Sequence, residues 1–269
     1  MSKVIGADAA KLAGLQIDTL QKARDGQITL EHWEWFNKLT KTERDRLCRD
    51  GHVDTRSQAR QTIEAVNKVV SSAQERWAAF DDLFDRQIQT LRDRGCPSQV
   101  LAMLISQKPQ VLAKASTMTF KEGRIPFLSI IPFSALNLST QMSMVRNGNQ
   151  SGISCLDTNE IKDIVSTPVQ PYFIFDVEDG EGMLGRSVLK ATELIKSQNR
   201  SPLTAAEVIS LGIQAKALSK RYVDAAGSRY RNDDRAPFLC LDVSRPGLGW
   251  NGVDSSFSEC GSASCGSRS

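Results

Sequence analysis

A long repeat of apolar positions is the sequence feature that most constrains this fold. Between residues 59 and 91, apolar side chains recur at steps of three and four residues. The positions are Ala59, Ile63, Val66, Val70, Ala73, Trp77, Phe80, Phe84, Ile88 and Leu91. This spacing, close to a seven-residue repeat, places the apolar side chains on one face of an α-helix. Gly95 and Pro97 supply a stop signal, so the sequence predicts one helix of about 35 residues.

Such a helix needs a partner for its apolar face. At 1.5 Å per residue it is about 50 Å long, which exceeds the diameter of a small domain. We expect the face to pack in a bundle within its own chain, with Trp33, Trp35 and Trp77 in helix cores. The alternative that stays open is binding of an unknown partner protein or self-association through the long helix.

The chain around this helix divides into two halves with different periodicity. Up to about residue 115 the pattern is helical, with Thr29 and Thr42 at N-cap positions and a break near Pro109 in SQVLAMLISQKPQVLAKA. Beyond it, IPFLSIIPF, PYFIFDV and APFLCLDV are short apolar runs rich in Phe and Ile, which predict strands. SGISCL is a further candidate strand.

Two helices are predicted between these strands. They are SVLKATELIKS and SPLTAAEVISLGIQAKALSKRY, the second with Thr204 and Glu207 at capping-box spacing. The fold class is therefore α+β (mixed α/β): an N-terminal helical extension with one long helix, then a small mixed sheet flanked by helices. We place the extension at residues 1–80 and the mixed domain at 81–269.

Composition limits the classes of protein that fit. The chain has 269 residues, 40% of them hydrophobic, and a formal net charge of +3. That charge is too small to indicate nucleic-acid binding, and the longest apolar run is too short for a membrane helix of about 20 residues. No secretory signal is visible at the start of the sequence. We expect a soluble, cytoplasmic protein with no membrane contact.

The six cysteines and two histidines are too scattered for a metal centre. None of the cysteines forms a CxxC pair, and only His32 and His52 could supply imidazole. A zinc site needs about four converging ligands. We expect reduced thiols with no metal and no cofactor. Whether Cys260 and Cys265 have any role stays open.

Short stretches between residues 84 and 268 resemble, in order, a bacterial family known as a domain of unknown function, number 5701. They are FDRQIQTLRDRG (84–95), DVEDGEGML (176–184), RSPLTAAEVISL (200–211), GSRYRNDDRAPFLCL (227–241), RPGLGW (245–250) and GSASCGSR (261–268). The resemblance covers about residues 80–269. It implies that GSASCGSR is ordered, as a last edge strand, and it implies no activity. One departure is NGVDSSFSEC, where the resemblance implies an aromatic stretch with histidine.

The glycines of DGEGMLG form a GxGxxG pattern, but their surroundings disfavour a dinucleotide site. Acidic residues surround the glycines and would repel a pyrophosphate, and a helix start follows where a second strand is needed. We expect a glycine-rich turn that needs positive φ. The acids Asp176, Glu178, Asp179 and Glu181 could attract a divalent cation, but a solvated acidic loop is the simpler interpretation.

Hydrolytic chemistry is also disfavoured. GSASCG contains nucleophile candidates, but the second half of the chain has no histidine to activate them. KRYVDAAGSRYRNDDR combines basic and aromatic residues, so RNA or anion contact through residues 216–235 is a further alternative. Pairing of Arg231 or Arg235 with Asp233 and Asp234 is the simpler interpretation, so the sequence disfavours nucleic-acid binding.

The sequence therefore favours a non-enzymatic binding or interaction module, and it leaves open whether the protein is an enzyme. The main alternative is a small-molecule-binding protein or enzyme with a pocket at the DVEDG turn. Its candidate ligand-binding residues are Asp176, Glu178, Asp179, Arg229, Arg231 and Trp250. They are chosen because α/β folds place ligands at strand ends.

Overall fold

A computed structural model describes residues 53–215, 221–231, 233–242 and 245–269. The predictions for the first 52 residues, including both histidines and the caps at Thr29 and Thr42, lie outside the described residues. The chain divides into two compact units, Met1–Ala79 and Phe80–Ser269. The predicted boundary between a helical extension and a mixed domain stays a prediction. Among the described helices, none combines the length and the apolar character that crossing a membrane requires.

The described residues form a mixed α+β fold, as predicted, with six α-helices. These are α1 (Val53–Asp93), α2 (Ser98–Ile105), α3 (Lys108–Ser116), α4 (Leu138–Met144), α5 (Val188–Ser197) and α6 (Ala205–Gln214). The predicted long helix is confirmed as α1, which has 41 residues. The predicted interruption near Pro109 is also confirmed, since Pro109 lies in the first turn of α3, where its missing N–H costs no hydrogen bond.

The last turns of α1 pack into the core of the second unit. Phe84 is buried and stacks on Phe173, with ring centroids 5.4 Å apart. The buried Gln87 side chain donates to the Phe127 carbonyl at 2.7 Å and accepts from the Ser129 amide at 2.9 Å. Trp77, which was expected in a helix core, is 40% exposed.

The strands form two main sheets. The first is antiparallel, in the order β1–β6–β14, with β1 at Ile125–Ile130, β6 at Tyr172–Val177 and β14 at Ser267–Arg268. The second has the order β12–β8–β10–β11–β4, with β4 at Ile153–Ser154, β8 at Tyr222–Asp224, β10 at Arg235–Asp242, β11 at Arg245–Gly252 and β12 at Cys260–Ser262. The end of the chain is thus ordered and finishes as an edge strand, as expected.

Three short strand pairs complete the architecture. They are β2 (Arg146–Asn147) with β3 (Gln150–Ser151), β5 (Ile161–Asp163) with β9 (Ser228–Tyr230), and β7 (Ser201–Pro202) with β13 (Ser264–Cys265). The pairing of β7 with β13 brings the segment before α6 against the end of the chain.

Helix α6 begins as predicted and ends earlier. The Thr204 hydroxyl accepts from the Glu207 amide, and Glu207 Oε2 accepts from the Thr204 amide at 2.8 Å, which completes the predicted capping box. The helix ends at Gln214, and Tyr222 starts strand β8. The prediction that one segment runs helically to Tyr222 was therefore wrong at the described residues after Gln214, which are Ala215, Arg221 and Tyr222.

Candidate functional site

A cleft of about 540 Å³ lies where β6 leads into the DVEDG turn. Its wall is predominantly polar, and it carries charges of both signs together with a serine. These residues are Lys121, Arg124, Asp176, Glu178, Arg200 and Ser264. They come from the segment before β1, the end of β6, the segment after α5 and strand β13, so four distant parts of the sequence build one wall.

Asp176 is the structural centre of this wall and has an unusual backbone conformation. Its φ is +54°, in the left-handed region that a non-glycine residue adopts only at a cost of about 1–2 kcal/mol. Its Oδ2 accepts from Arg124 Nη1 at 2.6 Å and from Arg200 Nη1. Backbone strain that surrounding contacts sustain clusters at functional sites.

Arg200 has all of its hydrogen-bonding nitrogens occupied by the protein. Besides the Asp176 carboxylate, it donates to the Asp176 carbonyl, and to the Ser264 hydroxyl at 2.9 Å and the Ser264 carbonyl at 3.1 Å. Its side chain is only 6% exposed. Arg200 therefore holds β6 and β13 together and is a positioning residue for Asp176.

Two carboxylate oxygens in the wall are buried without a donor. Asp176 Oδ1 and Glu178 Oε2 are inaccessible and have no hydrogen-bond partner among the described residues. The other oxygen of Glu178 accepts from the Gly182 amide at 2.9 Å, which fixes the side chain. An unsatisfied buried polar group costs about 1–3 kcal/mol. Because both oxygens lie below the accessible surface, a ligand in the cleft would meet the other atoms of the wall.

The glycines of the DGEG turn serve close backbone packing. Gly180 has a φ of +98°, and a Cβ there would lie 2.6 Å from the Gly261 carbonyl oxygen. A Cβ at Gly261 would in turn overlap the Gly180 carbonyl oxygen. Because β6 pairs antiparallel with both neighbours, it does not form the parallel unit of a dinucleotide fold. The predicted glycine-rich turn with positive φ is confirmed.

The six predicted ligand-binding residues separate in the structure. Asp176 and Glu178 line the cleft, whereas Asp179 forms an ion pair with Arg221, whose side chain is 3% exposed.

Arg229, Arg231 and Trp250 do not belong to the described wall of this cleft. Arg229 is buried and donates to the carbonyls of Ala226 and Ser228, at 3.1 and 2.8 Å, and burial lowers the pKa of its guanidinium. Arg231, also at positive φ (+60°), lies 3.9 Å from a Glu160 carboxylate oxygen. Their part in ligand binding stays a prediction.

Trp250 contacts Arg235, a residue of the basic segment 216–235, in a way that the sequence did not predict. The Arg235 guanidinium lies 4.1 Å from the centre of the Trp250 ring, a cation–π contact, where the sequence favoured pairing with Asp233 or Asp234. Residues 216–220 and 232 lie outside the description. The indole itself is 41% exposed.

A second arginine–carboxylate cluster, the C-terminal network, consists of Glu207, Arg268, Tyr172, Thr204 and Ser201. Glu207 is fully buried, and its Oε1 accepts from the Tyr172 hydroxyl and from Arg268 Nε, both at 2.7 Å. Its Oε2 accepts from Arg268 Nη2 and from the Thr204 amide, both at 2.8 Å. Arg268 also donates to the Ser201 hydroxyl at 2.6 Å. These contacts anchor the end of the chain to the start of α6.

Metal and thiol chemistry find no support in the described residues. Across that part of the chain, no three His, Cys, Asp or Glu side chains come together as a metal-binding group. Burial raises the pKa of both Cys260 and Cys265 to about 12, so neither is a thiolate nucleophile near neutral pH.

Sequence reasoning missed Lys121, Arg124 and Arg200 as parts of the site, and it considered Ser264 only as a nucleophile candidate in GSASCG. No chemical motif in the sequence marks the first three. Arg200 and Ser264 do, however, lie in RSPLTAAEVISL and GSASCGSR, two of the stretches that carry the family resemblance. A third, DVEDGEGML, supplies Asp176 and Glu178, so three short stretches meet at one cleft.

Comparison with known proteins gives one match. No curated protein and no solved structure matches the chain significantly. The model of a family described as "Family of unknown function (DUF5701)" matches residues 86–269, which is more than half of the chain and includes both arginine–carboxylate clusters. The chain therefore belongs to the Family of unknown function (DUF5701).

Proposed function

We propose that residues 80–269 are a non-enzymatic binding module that takes a small polar ligand in the cleft at the DVEDG turn. The observation that carries the proposal is the cleft itself, whose wall brings together charged side chains of both signs from four distant parts of the sequence. Such convergent polar groups in a concave site are typical of small-molecule binding.

Size and strain support this role. A volume of about 540 Å³ lies within the range of about 300–1,000 Å³ typical of small-molecule sites. Asp176 keeps its left-handed conformation with its carboxylate bound by both Arg124 and Arg200. A wall that is braced by the fold before a ligand arrives loses little entropy on binding.

The test is a thermal-shift screen of the full-length chain against amino acids, amines, carboxylates, phosphates and nucleotides. A ligand that prefers the folded form raises the apparent Tm. Gly182→Phe is the cleft-filling variant, because a Cβ at Gly182 meets only the Glu178 carboxylate, 3.6 Å away. Leu184→Phe is the matched control, because Leu184 lies in the same turn, is 40% exposed and does not line the cleft.

We expect at least one compound to raise the Tm of the wild type and of Leu184→Phe, but not that of Gly182→Phe. If no compound in the screen stabilises the protein in a way that Gly182→Phe abolishes, the proposed function is wrong.

Association through the long helix stays a separate prediction. It is favoured by one observation: Trp77, on the apolar stripe, is 40% exposed. We expect the intact chain to sediment as a dimer or larger and a variant lacking residues 1–79 to sediment as a monomer. If both chains sediment as monomers, self-association through the long helix is eliminated.

The remaining sequence predictions receive uneven support. The side chain of Arg221 is 3% exposed, and Arg229 as a whole residue is 7% exposed. Both are therefore poorly placed to contact RNA or an anion. Nucleic-acid contact through residues 216–235 is therefore not part of the proposed function. A cytoplasmic location and a bacterial source stay predictions from the sequence.

A further inference from the structure

We infer that the ligand of the cleft is a small anion with a carboxylate or phosphate group, bound by the open edge of the Arg124 guanidinium and by the Lys121 ammonium. This inference rests on the proposed function and names the chemistry of its ligand. The two oxyanions share one mode of recognition, in which two parallel N–H donors of a guanidinium bind two oxygens of the anion.

The acceptors of the wall are covered or already hydrogen-bonded. Asp176 Oδ2 accepts from Arg124 and Arg200, and one oxygen of Glu178 accepts from the Gly182 amide at 2.9 Å. The other oxygen of each carboxylate lies below the accessible surface. A ligand in the cleft therefore finds no carboxylate oxygen that is both accessible and without a donor.

Arg124, in contrast, has accessible donors without an acceptor. Of its three side-chain nitrogens, only Nη1 has a partner among the described residues, the Asp176 carboxylate at 2.6 Å. Nε and Nη2 are not among the buried nitrogens that lack a partner, so both reach the surface, and the side chain is 16% exposed. Nε and Nη2 form the edge of a guanidinium whose N–H bonds run parallel, which suits a carboxylate or a phosphate. The ion pair with Asp176 therefore holds Arg124 with its binding edge open.

The charge of the wall also favours an anion. Three cations line the cleft, Lys121, Arg124 and Arg200, against two carboxylates. Both arginines bind the Asp176 carboxylate, so its charge is compensated within the wall. Lys121 is exposed and has no ion pair with a described residue, so its charge is free for a ligand. A cationic ligand would be repelled by this excess positive charge, whereas an anion is attracted by it.

Two amide side chains provide neutral donors in the same wall. Gln198 and Asn199 line the cleft and are exposed, directly after α5. The backbone amides of Gln198, Asn199 and Arg200 donate to the carbonyls of the last turn of α5, so these carbonyls already have partners. The side-chain amides can donate to further oxygens of a ligand. The cleft, at about 540 Å³, leaves room for a polar body beyond the oxyanion group.

The experiment is calorimetric titration of the full-length protein at constant ionic strength, with probes that differ in charge. Butyrate, butyramide and butylamine present an anion, a neutral amide and a cation on one carbon chain. Inorganic phosphate, methyl phosphate and every anion that raises the Tm in the screen are titrated beside them. We expect at least one anion to bind about tenfold or more tightly than butyramide and butylamine, because charge-assisted hydrogen bonds are the stronger kind. The tighter oxyanion, carboxylate or phosphate, identifies the source of the charge.

Two variants test the two cations separately. Arg124→Lys keeps a positive charge beside Asp176 but loses the parallel N–H donors, so anion affinity should fall about tenfold or more. Lys121→Ala removes an exposed cation and should weaken binding about threefold, because exposed charge pairs are weak. Arg186→Lys and Lys190→Ala make the same changes at exposed positions outside the wall, and they should leave affinity within about twofold. Because Lys121 is exposed, its variant keeps the test decisive even if Arg124→Lys does not fold.

The outcomes distinguish this inference from the proposed function. The ligand class is overturned if butyramide or butylamine binds as tightly as the best anion, or if anion affinity is unchanged in the variants of Arg124 and Lys121 that fold, or in Gly182→Phe. The same holds if no anion binds but another compound shows the Gly182-dependent stabilisation described above, in which case the proposed function survives. If no compound shows that dependence, both fail together.

Discussion

Strand β6 carries an arginine–carboxylate cluster near each end, and the two differ in one respect. At its start, Tyr172 joins Glu207 and Arg268 in the C-terminal network, where both oxygens of Glu207 accept two hydrogen bonds each. Near its end, Asp176 joins Arg200 in the cleft, where one oxygen of Asp176 has no donor. The chemistry is the same, but one cluster is complete and the other is not.

The difference is whether every carboxylate oxygen of the cluster has a hydrogen-bond donor. In the C-terminal network, the Glu207 carboxylate raises the pKa of the Arg268 guanidinium, and burial together with Glu207 raises the pKa of the Tyr172 hydroxyl. Both donors therefore stay protonated at any ordinary pH, and the network is permanently closed. In the cleft, Arg200 donates as many hydrogen bonds as Arg268 does, but one oxygen of Asp176 and one of Glu178 have no partner among the described residues.

The largest expected loss of stability is at the C-terminal network. Glu207→Gln removes the charge that pairs with Arg268, and Glu207 is fully buried. Removing one partner of a buried pair typically costs about 3–5 kcal/mol. Urea unfolding of the full-length chain, followed by circular dichroism, measures the loss, and Glu193→Gln on the exposed face of α5 is the control. A loss below about 1 kcal/mol would mean that the network is not what anchors the chain end.

A smaller loss of stability tests whether the wall of the cleft is rigid. Gly180→Ala forces a Cβ to 2.6 Å from the Gly261 carbonyl oxygen, at a φ of +98°. Gly185→Ala, at a φ of +71° with open space around it, is the control that carries the backbone strain alone. We expect losses of about 2–4 kcal/mol and about 1 kcal/mol in the same unfolding measurement. Equal losses would show that the turn yields easily and that the wall is not preformed.

Asp224 is a third buried carboxylate that can be compared with these two. It is 3% exposed, and burial raises its pKa to about 7. Its usual pKa is 3.8, so between about pH 4 and pH 7 the unfolded chain releases a proton that the folded chain keeps. The free energy of unfolding should therefore fall as pH rises through this window, with each unit of pKa shift contributing about 1.4 kcal/mol.

Asp224→Asn removes this pH dependence. We expect the variant to exceed the wild type in stability by more than about 1 kcal/mol at pH 8 and to approach it at pH 4. The exposed Asp254→Asn is the control. A wild type whose stability is level between pH 4 and pH 7 would contradict the prediction.

The sequence predicts local features of these clusters better than their assembly. The capping box of Thr204 and Glu207 follows from three-residue spacing, and the prominence of Asp176 and Glu178 follows from acids after a buried run. That Arg268, 61 residues further on, completes Glu207 is a long-range contact without a local pattern.

Strand β11 also forms through a long-range pairing that the local sequence does not predict. Its sequence RPGLGWNG contains three glycines and a proline, residues that are depleted in strands, so the segment was not predicted as one. It forms because eight residues pair with β10, and the bare Gly249 leaves room for the Phe238 ring. Tertiary pairing overrides propensity there, just as it brings Arg200 to Asp176 without any motif.

The smallest stability effect belongs to the substitution that most directly compares the two clusters, Glu178→Gln. It is the same chemical change as Glu207→Gln, but here the lost oxygen is one that accepts nothing, while the retained one still binds the Gly182 amide. The Gln amide places an NH₂ group where the unpartnered oxygen was, so one unsatisfied buried group replaces another and the free energy of unfolding should stay within about 1 kcal/mol of the wild type. Measured beside Glu207→Gln, a loss of more than about 2 kcal/mol would show that Glu178 already has a structural partner. The wall of the cleft would then be a second closed cluster, like the C-terminal network.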